Sequence, residues 1–190
     1  MVPLYDDKLK CNREIFGIRR ISMGDKLQLR SIMVDNLEAE ASVYWLNSKD
    51  EDVKKYLPGA YADSSTKAQE ILNNIVKRHF LKVSLFYTIC LTAFQAPMGY
   101  IMINSPRAHP ELDSWTIDFW LGETHRGYGI MGFAICNILN HLQDFKIPEI
   151  KALVHSDNAK TIKILETIGF KLIHKETSGH FRHLYSLRLN

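Results

Sequence analysis

The 190-residue chain predicts an α/β (α+β) domain, built on a mixed, mainly antiparallel sheet of about six or seven strands with helices on both faces. Three observations carry that prediction. Runs of strand length, rich in β-branched and aromatic residues, recur from residue 83 to the C-terminus. Two of these runs are followed by amphipathic helical segments, so an antiparallel stretch gives way to a β–α–β–α–β–β order. The N-terminal part reads as mostly helical, and no Pro/Gly/Ser-rich linker separates it from the rest. One domain over 1–190 is expected, with a weakly structured lead at 1–15, a helical wall at 16–82 and a core at 83–190.

Taken in order, "FGIRRI" (16–21) is a short strand candidate. Residues 25–47 carry Leu29, Ile32, Met33, Leu37, Ala41 and Trp45 at helical spacing, which predicts a helix. Pro58 and Gly59 then break the chain. Thr66 with Gln69 resembles a capping box, opening a helix through Ile71, Ile75 and His79. "VSLFYTICLTAF" and "PMGYIMIN" form a hairpin around Gln95–Pro97, 105–113 is a loop, and "SWTIDFWL" (114–121) is the next strand. Gly127 to Leu142 is helical, with Ile130, Phe133, Ala134, Ile138 and Leu142 on one stripe. "EIKALVHS" (149–156) alternates as a strand, and Asn158 to Ile168 is a helix closed by Gly169. "FKLIHKE" and "HFRHLYSLRL" make a final strand pair.

Bulk properties exclude several classes. Apolar residues are 46% and charged residues 24%, so the chain has the means to build a core. The net charge of +3 is mild, and without a run of about five or more Lys/Arg no nucleic-acid partner is expected. Cys11, Cys90 and Cys136 are an odd set without C-x-x-C, which argues against a disulfide framework or a zinc knuckle and suits a reducing cytoplasm. "MVPLYDDKLK" has no apolar h-region, and "LFYTICLTAF" (85–94) is far short of the ~20 residues a membrane span needs. No membrane partner is expected, and monomer and dimer stay equally open.

The stretch "HRGYGIMGFA" (125–134) reads as G-x-G-x-x-G through Gly127, Gly129 and Gly132. A glycine-rich turn opening a helix presents unpaired N–H groups at the positive end of the helix dipole, and so cradles an anion. A nicotinamide dinucleotide fits poorly. The preceding strand carries Asp118 in its middle, "GETHR" intervenes, and too few residues follow Gly132 for a second nucleotide-binding half. A Walker loop is excluded, since no Gly-Lys-Ser/Thr follows.

"FWLGETHRGYGIM", followed about thirty residues on by "HSDNAKTIKILETIGF", resembles the GNAT superfamily of N-acetyltransferases. The family's phosphate motif Q/R-x-x-G-x-G/A is matched by Arg126, Gly129 and, with a departure in the last place, Met131. Met there is similar to the Rim-type ribosomal-protein N-terminal acetyltransferases, and "VKKYLPG" (53–59), Asn158 with Thr161, and Gly169-Phe170 point the same way. The resemblance is strong over 97–190 and weaker over 16–82. It implies a GNAT-like acyl-CoA acyltransferase fold, with acetyl-CoA as co-substrate bound by the 83–190 core and a substrate wall in 16–82. It implies that the backbone of Arg126, Gly127, Tyr128, Gly129, Ile130 and Met131 holds the pyrophosphate, with the Arg126 cation beside it. The strand ending "FWL" is then expected to splay from its neighbour. Pantetheine lies in the gap, paired with backbone near Phe119 and Leu121 and touched by Asn158. Asn158 also suits a helix cap, and the two roles coexist.

Acetyl transfer from a thioester needs a neutral amine, a polarised carbonyl and a proton for the departing thiolate. A peptide α-amine with a pKa near ~8 is nearly ready, whereas a lysine amine near ~10.4 needs more help. Strand alternation places Thr116, Asp118 and Trp120 on one face and Ile117, Phe119 and Leu121 on the other. Asp118, a carboxylate inside a core strand, is the first candidate base; the family's usual acid falls nearer Thr116, and a structural Asp is the competing reading. Glu176 resembles an acid of the Rim subgroup and competes with a solvated loop charge. Thr161 matches a Ser proposed there to protonate the thiolate. Tyr185, otherwise a core residue, is the alternative. His180 and His183 form H-x-x-H, but a strand sends them to opposite faces, so no metal is expected. The expected activity is acetyl transfer to a primary amine, a protein N-terminus first, by direct attack in a ternary complex. A polyamine or aminoglycoside acceptor, and a non-catalytic acyl-CoA-binding module, are the alternatives.

Overall fold

Residues 20–32, 36–93, 96–175 and 182–189 are described by the structure, a computed structural model. Among the described residues eight strands form one sheet in the order β1-β2-β3-β4-β5-β6-β8-β7. They are β1 (Arg20–Met23), β2 (Leu27–Ser31), β3 (Ser84–Leu91), β4 (Pro97–Asn104), β5 (Trp115–Leu121), β6 (Glu149–His155), β7 (Lys171–Lys175) and β8 (Arg182–Arg188). All neighbours are antiparallel except β5 and β6, which run parallel. Helices α1 (Leu37–Ser48), α2 (Glu51–Tyr56) and α3 (Ser65–Phe80) lead into β3, while α4 (Ile130–Gln143) and α5 (Ala159–Ile168) flank β6 in sequence. No helix among the described residues is long and apolar enough to cross a membrane.

The mixed, mainly antiparallel sheet is therefore present with eight strands instead of six or seven. The addition is β2, cut from the helix expected over 25–47. Its alternation is concealed because Gln28 and Arg30 point inward where apolar residues would advertise a strand, and both are buried. Arg30 is accommodated by Glu40 of α1, an ion pair with 4% and 6% side-chain exposure. The cap of α3 also differs. Ser64, not Thr66, accepts from the Lys67 N–H at 3.1 Å, and Thr66 lies inside the first turn.

The strands sort their side chains to two cores. Leu85, Ile101, Ile117, Phe119 and Leu121 meet Ala134, Ile135, Ile138 and Leu142 of α4 and Leu165 of α5. On the other face Phe86, Tyr100 and Trp120 meet Tyr44 of α1, Val53 of α2 and Leu72 and Ile75 of α3. The alternation expected for β5 holds. Tyr100 is the hub of the second core, with ring centroids 4.9 Å from Tyr44 and 4.6 Å from Trp120.

One irregularity positions everything that follows. β5 and β6 pair only at Trp115–Ile150 and Thr116–Lys151. Beyond Thr116 they part, so the edge of β5 from Ile117 to Leu121 faces a gap in mid-sheet. Exposed backbone groups inside a sheet need a partner, and such an edge is ready for an added extended chain.

Candidate functional site

The gap opens into a cleft of about 710 Å³ between the segment leading into α4 and the start of α5. Phe119 and Leu121 of β5, Ile130 and Met131 of α4, and Ile164 and Ile168 of α5 give it apolar walls. Gly127, Gly129 and Gly132 line one end. Gly127 and Gly129 hold φ of +87° and +74°, values that a side chain disfavours. Gly129 caps α4 without a side-chain hydrogen bond, and the first paired helical amide is that of Phe133, donating to the Gly129 carbonyl at 3.1 Å. The amides of Ile130, Met131 and Gly132 thus stand at the helix start without an intrahelical acceptor. A Cβ on any of the three glycines would meet nothing within 4 Å, so the space above the turn is open to a ligand. An anion cradle at the end of an apolar trough suits a phosphorylated molecule with a long arm.

The trough also offers backbone. The Leu121 carbonyl points away from β4 and accepts from Arg126 Nε at 2.8 Å. With period two, the Phe119 N–H and C=O point the same way, into the gap. Arg126, the cation expected beside the pyrophosphate, lines the cleft and is engaged within the protein. Its guanidinium also donates to Asp50 at 2.6 Å and to Asp52 at 3.0 Å, tying the glycine turn to α2. Asp52 in turn accepts from Lys160 of α5 at 2.9 Å, and that contact, aided by Arg126 and Lys55 against a smaller effect of burial, lowers its carboxyl pKa. Asp50 additionally caps α2 by accepting from the Val53 N–H.

At the other end of the gap a small cavity of about 40 Å³ is bounded by Asp118, Phe119, His155, Asn158 and Thr161, among others. Asn158 Oδ1 accepts from the Thr161 N–H at 3.1 Å, so Asn158 caps α5 while lining both cavities, as does Thr161. Asp118 is half-buried. Burial pushes its carboxyl above the ordinary range, opposed by the Asn104 hydrogen bond and by the charges of His109, Arg78 and Arg182. A carboxylate so perturbed, in a cleft beside a hydroxyl, suits proton transfer.

Asp118, Thr161, Asn158 and Phe119 are therefore brought together, and Leu121, Gly127, Gly129, Ile130 and Met131 join them along the cleft. Tyr128, whose backbone is the part expected to bind, is not among the residues lining the cleft, and its side chain is exposed. Tyr185 is buried in the α4/α5 core, and its hydroxyl donates to Glu166 at 3.3 Å, away from the cleft-lining set. Glu176 and His180 lie outside the described residues. Sequence reasoning missed Asp50, Asp52, Tyr56 and Lys160 as cleft or latch residues. Their only signal was proximity to "VKKYLPG" and to Asn158, since pairing across about a hundred positions leaves no local pattern. It also missed Asn104, whose role is visible only when β4 lies beside β5.

Comparisons with known proteins agree with this geometry. Residues 26–171 match the acetyltransferase (GNAT) domain profile. No curated protein matches the chain. Among solved structures, the chain is similar to RimL, a ribosomal L7/L12 α-N-protein acetyltransferase in complex with coenzyme A, with TM-score 0.76 and 18% identity over 90% of this chain and 98% of that one. It is similar to Mycobacterium smegmatis RimJ in complex with CoA-disulfide, with TM-score 0.68 and 19% identity over 85% of this chain and 81% of that one. A third likeness is to the ribosomal-protein-S5-alanine acetyltransferase from Vibrio fischeri, with TM-score 0.68 and 16% identity over 86% and 93%. At these identities the likeness is one of fold.

Proposed function

Because the chain belongs to the GNAT family of acetyltransferases, we propose that it transfers an acetyl group from acetyl-CoA to a primary amine, the α-amine of a protein N-terminus being the acceptor. The observation that carries this reading is the gap between β5 and β6 opening beneath the glycine turn. The chemistry of this opening suits coenzyme A at both ends. Amides of the turn and of the first turn of α4 would hold the pyrophosphate, and Phe119 backbone with Asn158 would hold the pantetheine arm. Solved structures of similar fold hold coenzyme A.

Acetyl-CoA supplies an acetyl thioester. Asp118 takes a proton from the incoming ammonium, directly or through one water, so that the nitrogen lone pair is free to attack. An α-amine suits such a base, because its pKa near ~8 is closer to neutrality than a lysine's ~10.4. As the C–S bond breaks, the Thr161 hydroxyl gives its proton to the departing sulfur and regains one from the attacking nitrogen, which ends as the neutral amide. Attack is direct, with no acyl-enzyme. Glu176, through its resemblance to an acid of the Rim-type enzymes, is a further catalytic candidate. The proposed setting is the cytoplasm, where the free thiols of Cys90 and Cys136 stay reduced.

The test is release of CoA thiol from acetyl-CoA with four acceptors: peptides with free N-termini, the same peptides N-acetylated with one lysine retained, a polyamine and an aminoglycoside. Release with the free N-termini alone is expected. Release with the polyamine or aminoglycoside only would overturn the acceptor assignment. Tight acetyl-CoA binding without release to any amine would indicate a binding module instead.

A further inference from the structure

Asp118 is held by a chain of side chains that reaches across the sheet to a helix of the opposite wall. Asn104, fully buried at the end of β4, donates from Nδ2 to Asp118 Oδ2 at 2.8 Å and to Thr116 Oγ1 at 3.3 Å. Its Oδ1 accepts from Ser84 Oγ at 2.6 Å and from Arg78 Nη2 at 3.1 Å. Arg78 arrives from α3 and also grips Ser84 Oγ, at 3.0 Å from Nε and 2.8 Å from Nη2. A carboxamide has an acceptor end and a donor end, and only one orientation satisfies such a set. Two donors aimed at Oδ1 force the NH2 end toward Asp118. None of Arg78, Ser84 or Asn104 lines either cavity. A buried network so fully satisfied is stiff, and its members are tied to one arrangement.

We infer that Asn104 is a positioning residue for acetyl transfer: with its amide locked by Arg78 and Ser84, it aims the Asp118 carboxylate into the β5–β6 gap. The inference rests on Asp118 being the base. It gives the network a function beyond packing, since the geometry of the base then depends on α3, part of the wall expected to meet the acceptor. Asn104 touches no reacting atom.

The same arrangement sets the acidity of the base. The charged groups acting on Asp118 are Arg78 from α3, His109 from the loop after β4 and Arg182 from β8, and His155 of β6 lines the same small cavity. All of the first three, with the Asn104 donor, favour the carboxylate, while burial disfavours it. Loss of the donor leaves burial less opposed, so the proton is held more tightly.

Three variants test this: Asn104→Asp, Ser84→Ala and Asp118→Asn. Asn104→Asp keeps the volume and the acceptor for Arg78 and Ser84, but replaces the donor facing Asp118 by a carboxyl oxygen. Ser84→Ala leaves Asn104 in place with one lock fewer, and serves if Asn104→Asp folds poorly by thermal unfolding. The expected result for Asn104→Asp is an acidic limb of the kcat/KM profile displaced to higher pH. Its kcat at neutral pH should fall roughly ten-fold, a part of the ~10²–10⁴-fold that a positioned base supplies. The KM for acetyl-CoA should stay unchanged. Ser84→Ala should move the limb in the same direction by less. If Asp118→Asn is inactive while the limb is unmoved in the other two, Asn104 is merely structural and the inference is overturned with the base assignment intact. If Asp118→Asn keeps full activity, the base assignment itself fails, and the inference with it.

Discussion

The two faces of the sheet are built from different materials. Under α4 and α5 the strands bury Leu85, Ile101, Ile117 and Ile150 against Ile135, Ile138 and Leu165, an almost wholly apolar contact. Under α1 to α3 the aromatic cluster of Tyr44, Tyr100 and Trp120 is interrupted by the Arg30–Glu40 ion pair and by Ser84, Thr88, Asn104 and Thr116, all buried. Apolar burial stabilises at roughly 25 cal/mol per Å². A buried ion pair often contributes less than an apolar pair of the same volume. One face thus fixes the cradle and the trough cheaply. The other accepts a stability cost and carries Asp118, the proposed base, with the polar network that holds it, while Thr161, the proposed proton donor, comes from α5 on the first. The β5–β6 gap is where the two communicate.

The largest effect expected on this comparison is chemical. Asp118→Asn should lower kcat by roughly 10²–10⁴-fold, with the acetyl-CoA dissociation constant, measured by calorimetry, within a few-fold of the parent. A loss under ten-fold would remove the chemistry from the polar face. The pH dependence sharpens this further. Asp118 binds its proton more tightly in the folded chain, chiefly because it is buried. Its contribution to stability is therefore complete below the ordinary carboxylate pKa and is lost as pH rises through the raised folded value. Over that same window the rate should climb. The melting temperature of Asp118→Asn should gain on the parent as pH rises through it, so that stability and activity move in opposite directions.

Next in size is a thermodynamic effect. Glu40→Ala removes the carboxylate that faces the buried Arg30 guanidinium and should cost about 3–5 kcal/mol by denaturant unfolding. Exchanging both partners for Met and Leu should be neutral or stabilising, which would show that the pair is a cost of this face and not its support. A large loss in the double variant would contradict that. Gly129→Ala acts on the other side. Its φ of +74° should cost the new side chain about 1–3 kcal/mol, and weaken acetyl-CoA binding by loosening the turn. The smallest effect belongs to Tyr185→Phe, which removes a single long hydrogen bond to Glu166 and should change stability by about 1 kcal/mol or less. A rate loss matching that of Thr161→Val would return the role of proton donor to Tyr185.

The same contrast explains what could be read from the sequence. β5, the apolar stripe of α4 and the Gly169 end of α5 follow local rules of period two, period three to four and left-handed caps, so they were legible. So was the cradle, because Gly127 and Gly129 announce positive φ by their identity. β2 was not legible. Its inward residues are Gln28 and Arg30, and the partner that makes Arg30 tolerable, Glu40, lies in the next helix. Nor was the engagement of Arg126 by Asp50 and Asp52, which closes a loop of more than seventy residues. Polar burial depends on partners that sequence spacing does not reveal, and this chain concentrates it on one face.

The most direct test of the central claim, that the gap below the glycine turn is an acetyl-CoA site, is thermal unfolding with acetyl-CoA, CoA and NADH. Each ligand is present at about a hundred times a plausible dissociation constant, where binding adds ~2.7 kcal/mol. For a chain of this size that is a rise of roughly 5–11 °C, at ~2–4 °C per kcal/mol. That rise is expected with both coenzyme A species and none with NADH. No rise with coenzyme A, or a rise with NADH alone, would contradict it.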